Sequence, residues 1–159
     1  MFDKFTKSAY KMLDLAVQNS RKYGRSDIGS EMILTGLVEE ENGVAALALN
    51  TIGLTHGNML SFLKTAYPDA NPNTHETGVD LDGSSNTRLL LELAWDEHNK
   101  DGSEYIASDH ILRGLLRLKD SKAHDVFAAY KIEPAQVLEA ISSNTNMRPP
   151  SDSKKCEVG

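Results

Sequence analysis

Apolar residues recur along this chain at the three-to-four-residue spacing of helices, and no segment alternates convincingly enough to predict a strand. In the first half, Tyr10, Leu13 and Val17 follow that period after Thr6, whose hydroxyl suits a helix start, and Gly24 closes the segment. Ser30 is the expected cap of a second helix, whose apolar stripe is Ile33, Leu34, Leu37 and Val38. Asn42 is the expected cap of a third helix, VAALALNTI, which Gly53 ends. Thr55 is the expected cap of a fourth, carrying Met59, Leu60, Phe62 and Leu63. The fold class this predicts is all-α.

The second half repeats the plan. Residues 28 to 37 read IGSEMILTGL, and 78 positions later the chain reads IASDHILRGL. The same offset aligns Leu13 with Leu91, Ala16 with Ala94, Gly24 with Gly102, Gly36 with Gly114, Leu37 with Leu115 and Ala45 with Ala123. Most shared residues are apolar, small or turn-forming, which are the types that define a packing pattern. Ser84 or Ser85 is the expected cap of TRLLLELAWDEHNK, Gly102 ends that helix, and Ser108 is the expected cap of the next, DHILRGLLRL. A further helix is expected over about 122 to 130, and Pro134 falls in the first turn of the last, where its missing N–H costs nothing. The chain is therefore a tandem duplication of a four-helix repeat. Two units of this size are each marginal alone, so they are expected to pack as one pseudo-twofold domain over residues 1–142. Repeat one spans about 2–65 and repeat two about 84–142. Between them, residues 66–83 are rich in Pro, Gly, Asn and Asp and read as a linker. Residues 143–159 have little to bury and read as a disordered tail.

Composition narrows the function classes. With 40% hydrophobic and 25% charged residues the chain is of the soluble globular kind, and no apolar run approaches the roughly 18 to 20 residues that cross a bilayer. The amphipathic start, MFDKFTKSAYKMLDLAV, has no hydrophobic block of a signal peptide, which leaves the cytoplasm as the expected compartment. A net charge of −6 without a local basic patch argues against nucleic acid, and a membrane partner is not expected either. The single cysteine, Cys156, excludes an internal disulfide. The closing CEVG departs from a prenylation box at Glu157 and Gly159.

The chain contains no GxxxxGK[ST] phosphate loop, GxSxG elbow, HExxH or CxxC, and its five histidines lack close metal-ligand spacing. No catalytic residue, metal or cofactor is expected. The polar positions that stand out are Glu31 and Asp109, the acids that follow Ser30 and Ser108 in the two phrases. An acid in a helix's first turn is favoured by the macrodipole by about 0.3–1 kcal/mol, which by itself accounts for its presence. The same groups have a second use. A helix start offers N–H donors to an anion, and a neighbouring carboxylate can take a guanidinium in a two-point contact. Together they suit a ligand carrying both charges.

The stretch FTKSAYKMLDLAVQNSRKYGRSDIGSEMILTGLVEEENGVAALAL, with its second copy IASDHILRGL, resembles the Clp N-terminal domain family over about residues 2–142. That family's signature phrase is similar to IGTEHILLGL followed by a small-residue helix. The resemblance implies a duplicated four-helix fold and a non-enzymatic role, in which the domain receives substrate proteins and adaptors for an ATP-driven Clp ring. It also implies binding of phosphorylated arginine tags by the acid of each phrase with a Thr near each repeat's start. Carried over by position, these are Glu31 with Thr6, and Asp109 with Ser84. Here Met32 replaces the family's His in the first phrase while His110 keeps it in the second, Asp109 is shorter than Glu, and Ser30, Ser84 and Ser108 stand for Thr. A different class of function, a small-molecule-sequestering protein using the groove between repeats, is the alternative.

Overall fold

A computed structural model of the chain describes residues 4–25, 27–68, 85–118, 121–146 and 148–153. Repeat one contributes α1 (Lys7–Lys22), α2 (Ser30–Glu40), α3 (Val44–Thr51) and α4 (His56–Ala66). Repeat two contributes α5 (Ser85–Asp101), α6 (Ser108–Arg117), α7 (Lys122–Ala129) and α8 (Pro134–Thr145). The all-α class holds: among the described residues the only extended pairing is an isolated parallel bridge between Phe5 and Ile106.

The helices that carry the repeated phrase lie at the centre. All of α2 is buried except Val38 and Glu39, and α6 buries all but Arg113 and Arg117. Each packs on the preceding helix of its own repeat, α1 or α5, and each also reaches across, α2 onto α7 and α6 onto α3. A single core results, from Phe5, Met12 and Leu34 in one repeat to Leu112, Phe127 and Ile141 in the other. The duplicated glycines explain the close crossings. A Cβ on Gly36 would lie 2.5 Å from the Met12 carbonyl oxygen. One on Gly114 would lie 3.1 Å from a Leu90 methyl and 3.3 Å from the Ala94 backbone nitrogen. Met12 and Leu90 are themselves a pair under the 78-residue offset.

Turn chemistry follows the sequence at most ends. Gly24 and Gly102 adopt φ of 67° and 72° after α1 and α5, and Gly53 adopts 86° after α3. The Thr6 hydroxyl accepts from the Ala9 N–H, and Thr55 and Asn58 cap α4 reciprocally. Three expected caps differ. Gly43 rather than Asn42 precedes α3, while Ser30 and Ser108 are the first residues of α2 and α6, after Gly29 and Ala107. Their hydroxyls serve the other repeat: Ser30 Oγ accepts from the Ala123 N–H at 3.0 Å, and Ser108 Oγ from the Ala45 N–H at 3.1 Å. A hydroxyl at that position is worth more between two helices than on its own, because it satisfies an N–H that the neighbouring helix start leaves unpaired.

The largest difference from expectation is at the C-terminal end. Helix α8 continues to Thr145, and Pro150–Asp152 forms a short 3-10 turn, with Asp152 wholly buried. This segment is short of apolar residues, but charge and hydrogen bonds hold it, which a criterion of apolar burial does not register. Of the expected linker, only residues 66–68 are among those described.

Candidate functional site

The start of α6 faces the start of α3, and Asp152 stands where the two meet. Its Oδ1 accepts from the Ser108 N–H at 2.9 Å and the Thr6 hydroxyl at 2.8 Å. Its Oδ2 accepts from the Val44 N–H at 2.8 Å and the Ser108 hydroxyl at 2.5 Å. Two helix N-termini thus share one anion, which places the positive ends of both backbone dipoles on the same carboxylate. Burial nevertheless pushes the Asp152 carboxyl above its ordinary pKa, against the lowering effect of its bonds to Ser108 and Val44, and nearby Asp109 adds to the rise. Glu40 lies close by and accepts from the Gly43 N–H at 2.5 Å; burial raises its pKa too, with Asp152 a smaller contributor. A side chain on Gly43 would run into Ser108 Oγ, Glu40 Oε2 and Asp152 Oδ2, so the site has room only for glycine there.

Beside this anion, Asp109 holds a cation. Arg148 Nη1 donates to its Oδ1 at 2.7 Å and Nη2 to its Oδ2 at 2.9 Å, the two-point geometry of a guanidinium on a carboxylate. Asp109 is 1% exposed, so a carboxylate at this position needs a partner of this kind. Next to it, His110 Nδ1 accepts from the Ala107 N–H at 2.8 Å, which places the ring proton on Nε2, facing Asp101 Oδ2 at 2.6 Å. Burial pushes the Asp101 carboxyl up, but hydrogen bonds from Ser103 and His110 outweigh it and leave its pKa below the ordinary value. Asp101, Asp109 and His110 offer three atoms within 4.8 Å of one another, but Arg148 already pairs with Asp109, and the imidazole N–H already faces Asp101.

The start of α2 is built on the same plan from different charges. Glu31, 2% exposed, accepts from the Tyr67 hydroxyl at 2.9 Å. Lys122, from the start of α7, donates to that hydroxyl at 2.8 Å and lies 3.9 Å from the Glu31 carboxylate. The Tyr67 ring carries two cations, Lys122 at 4.7 Å and Arg25 at 4.8 Å from its centroid, close enough for a cation–π attraction. Its hydrogen bond to Tyr67 raises the Lys122 pKa, and burial raises that of Tyr67.

Of the four residues expected at the sites, Glu31 and Asp109 stand in the first turns of α2 and α6. The pairing of Thr6 with Glu31 is corrected. The Thr6 hydroxyl and Ser108 N–H share Asp152 Oδ1, and the Thr6 N–H bonds the Ile106 carbonyl, so Thr6 belongs with Asp109. The cause is the crossing of chains between repeats: α1 begins against the loop before α6. Thr87, in the first turn of α5, donates to the Ile28 carbonyl at 2.6 Å, the reciprocal contact. Ser84 lies outside the described residues. Sequence reasoning missed Arg148, Asp152, Tyr67, Lys122 and Arg25. The signal that could have found the first two is the spacing RPPSD, a cation and an acid four positions apart around two prolines.

Matching helix starts in a duplicated helical scaffold place buried acids, Glu31 and Asp109, at equivalent positions of the two repeats. The Clp repeat (R) N-terminal domain family matches residues 4–130 and 84–158, and the chain belongs to that family. It is 32% identical over 148 residues to the Bacillus subtilis negative regulator of genetic competence ClpC/MecB, covering 91% of this chain and 18% of that protein. It is 30% identical over 153 residues to the chloroplastic chaperone protein ClpC1 of Oryza sativa subsp. japonica, covering 91% of this chain and 16% of that one. The chain therefore spans less than a fifth of the length of these relatives. In fold it is similar to the N-terminal domain of the Arabidopsis thaliana chaperone ClpD, with a TM-score of 0.74 at 18% identity over 92% of this chain and 97% of that one. It is similar also to the Candida albicans Hsp104 N-terminal domain, with a TM-score of 0.72 at 16% identity over 94% and 99%. Among the described residues no helix is long and apolar enough to cross a membrane.

Proposed function

We propose that this chain is a non-catalytic interaction module of a Clp unfoldase system, working in the cytoplasm. It captures substrate or adaptor proteins through groups that carry a guanidinium together with an anion, phosphorylated arginine above all, for a Clp ATPase ring. The observation that supports this is what the α6 start holds in the chain itself: Asp109 takes a guanidinium at two points while Thr6, Ser108 and the Val44 N–H take a carboxylate beside it. A phosphoarginine side chain presents the same two charges on one group. At the α2 start, Glu31 is the guanidinium acceptor, and Lys122 and Arg25 are cations placed for the phosphate. The net charge of −6 favours such protein partners over nucleic acid or an anionic membrane.

The test is titration of a phosphoarginine peptide, against its unphosphorylated twin, into the wild-type chain, Glu31→Ala and Asp109→Ala. Loss of one charged hydrogen-bond pair weakens binding by about tenfold or more at the altered site. Equal affinities for all three chains reject the reading.

A further inference from the structure

We propose that the repeat-two site is a receptor for peptides bearing an arginine and, four residues on, a carboxylate, and that the chain's own residues 148–152 are its resident occupant. For the identity of an outside ligand the inference rests on the recognition reading above; for the occupancy it stands on the geometry alone. Arg148 and Asp152 are the two ends of one short segment, RPPSD. Asp109 binds the guanidinium at 2.7 and 2.9 Å, and the paired helix starts with Thr6 bind the carboxylate in four hydrogen bonds. Arg148 Nη1 also donates to the Asp152 carbonyl at 3.2 Å, which closes the segment on itself in the bound form. Ser151 extends the contact, its hydroxyl accepting from Ser8 at 3.0 Å. The two prolines between the charges restrict the backbone before binding, so little freedom is lost on docking.

The protein groups contacted are parts of the folded body: Thr6, Ser8, Val44, Ser108 and Asp109. The segment touches them as a ligand would, and it follows the end of α8 within a few residues, at Thr145. A tethered ligand acts at a high effective concentration, so an outside ligand must displace it and its apparent affinity falls by the fraction of chains in which the site is open. Repeat one differs. Glu31 is met by Tyr67 and Lys122, groups of the folded body that are not followed by an acid in an equivalent docked pose among the described residues. The two sites therefore differ in what answers the acid: Glu31 is engaged by Tyr67 and Lys122 of the folded body, whereas repeat two opens on displacement of residues 148–152.

The experiment uses the full chain with repeat one silenced by Glu31→Ala, alone or with Arg148→Ala and Asp152→Ala added. The probe is the synthetic peptide NMRPPSDS, labelled for fluorescence anisotropy. The opened chain should bind it at least about tenfold more tightly than the Glu31→Ala chain, and adding Asp109→Ala should abolish the binding. Equal affinities with and without the tail substitutions, or binding indifferent to Asp109→Ala, overturn the proposal. If the triple variant does not fold, amide exchange in the otherwise native chain decides. Asp152→Ala should speed exchange at Val44 and Ser108 by about tenfold or more, and unchanged rates overturn the docking. A phosphoarginine peptide added to the same opened chain separates the two claims. If NMRPPSDS binds and phosphoarginine does not, the resident-ligand inference stands and the phosphoarginine reading falls.

Discussion

Repeat one and repeat two share a scaffold and supply their charges in opposite ways. In both, the serine that opens the central helix accepts an N–H from the other repeat, Ser30 from Ala123 and Ser108 from Ala45, so this reciprocal latch is duplicated intact. The neighbouring positions have diverged. Lys122 and Arg25 stand at the repeat-one site, whereas their counterparts at the 78-residue offset are Val44 and Ser103. Repeat two instead takes its cation from Arg148 in the C-terminal segment. Groups that hold the halves together keep their identity because both copies of the core depend on them. Groups that answer the acid of each helix start are free to change one copy at a time, since an acid there stays favourable whichever cation answers it.

The comparison breaks most sharply at the paired glycines. Gly36→Ala places a methyl 2.5 Å from the Met12 carbonyl oxygen, a backbone atom that cannot step aside, while Gly114→Ala meets a Leu90 methyl first, at 3.1 Å. Alanine gains up to about 1 kcal/mol of helix propensity at either position, and overpacking costs about 1–3 kcal/mol. Gly36→Ala should therefore destabilise by about 2–3 kcal/mol and Gly114→Ala by less than about 1, read from urea unfolding midpoints. The reverse order would show that the two crossings are not as unequal as their geometry.

How far the sequence discloses this molecule follows from the same division. Gly24, Gly53 and Gly102 mark helix ends because only a left-handed residue continues the chain there, and they do so with φ of 67°, 86° and 72°. The apolar period marks the core, and the duplicated phrase marks the two central helices. The sites were legible only in part. Glu31 and Asp109 could be placed because a helix start is a local feature, but their partners come from residues distant in sequence. Thr6 reaches Ser108 through Asp152, and Lys122 reaches Glu31, contacts that no local period encodes. The docking of residues 148–152 was not foreseen for a related reason. Apolar content measures what the hydrophobic effect can hold, whereas residues 148–152 are held by charge and helix starts that the segment itself does not contain.

The one large core difference between the phrases, Met32 against His110, sharpens the comparison at an intermediate level. Both side chains are 0% exposed, but only the imidazole is wired, from the Ala107 N–H through the ring to Asp101. His110→Met gives repeat two the side chain of repeat one and leaves the Ala107 N–H without its acceptor and Asp101 Oδ2 without the imidazole donor. Stranding a buried donor costs about 1–3 kcal/mol, so a loss of about 2 kcal/mol is expected from the unfolding midpoint. A loss below about half a kcal/mol would mean that methionine serves equally in both repeats.

The smallest effect concerns the crowding of acids at the repeat-two site. Glu40 and Asp152 both have their pKa raised by burial, so each binds its proton more tightly in the folded chain than in the unfolded one. For such a group the ionised form is the destabilised one: the penalty is fully present above the folded pKa and disappears as pH falls toward the ordinary carboxylate value near about 4. Asp101 has the opposite sign, since its lowered pKa gives stability that persists above the ordinary value and is lost only as pH falls through the lower, folded one. The melting temperature should therefore rise slightly from pH 7 toward about pH 5 and fall only below about pH 4. Glu40→Gln keeps an oxygen for the Gly43 N–H and removes one titrating acid, so it should flatten the rise on the neutral side and leave the acid limb in place. If the variant and the wild type rise equally between pH 7 and pH 5, then Glu40 does not contribute to the strain, and Asp152 alone distinguishes the charge balance of this site from that around Glu31.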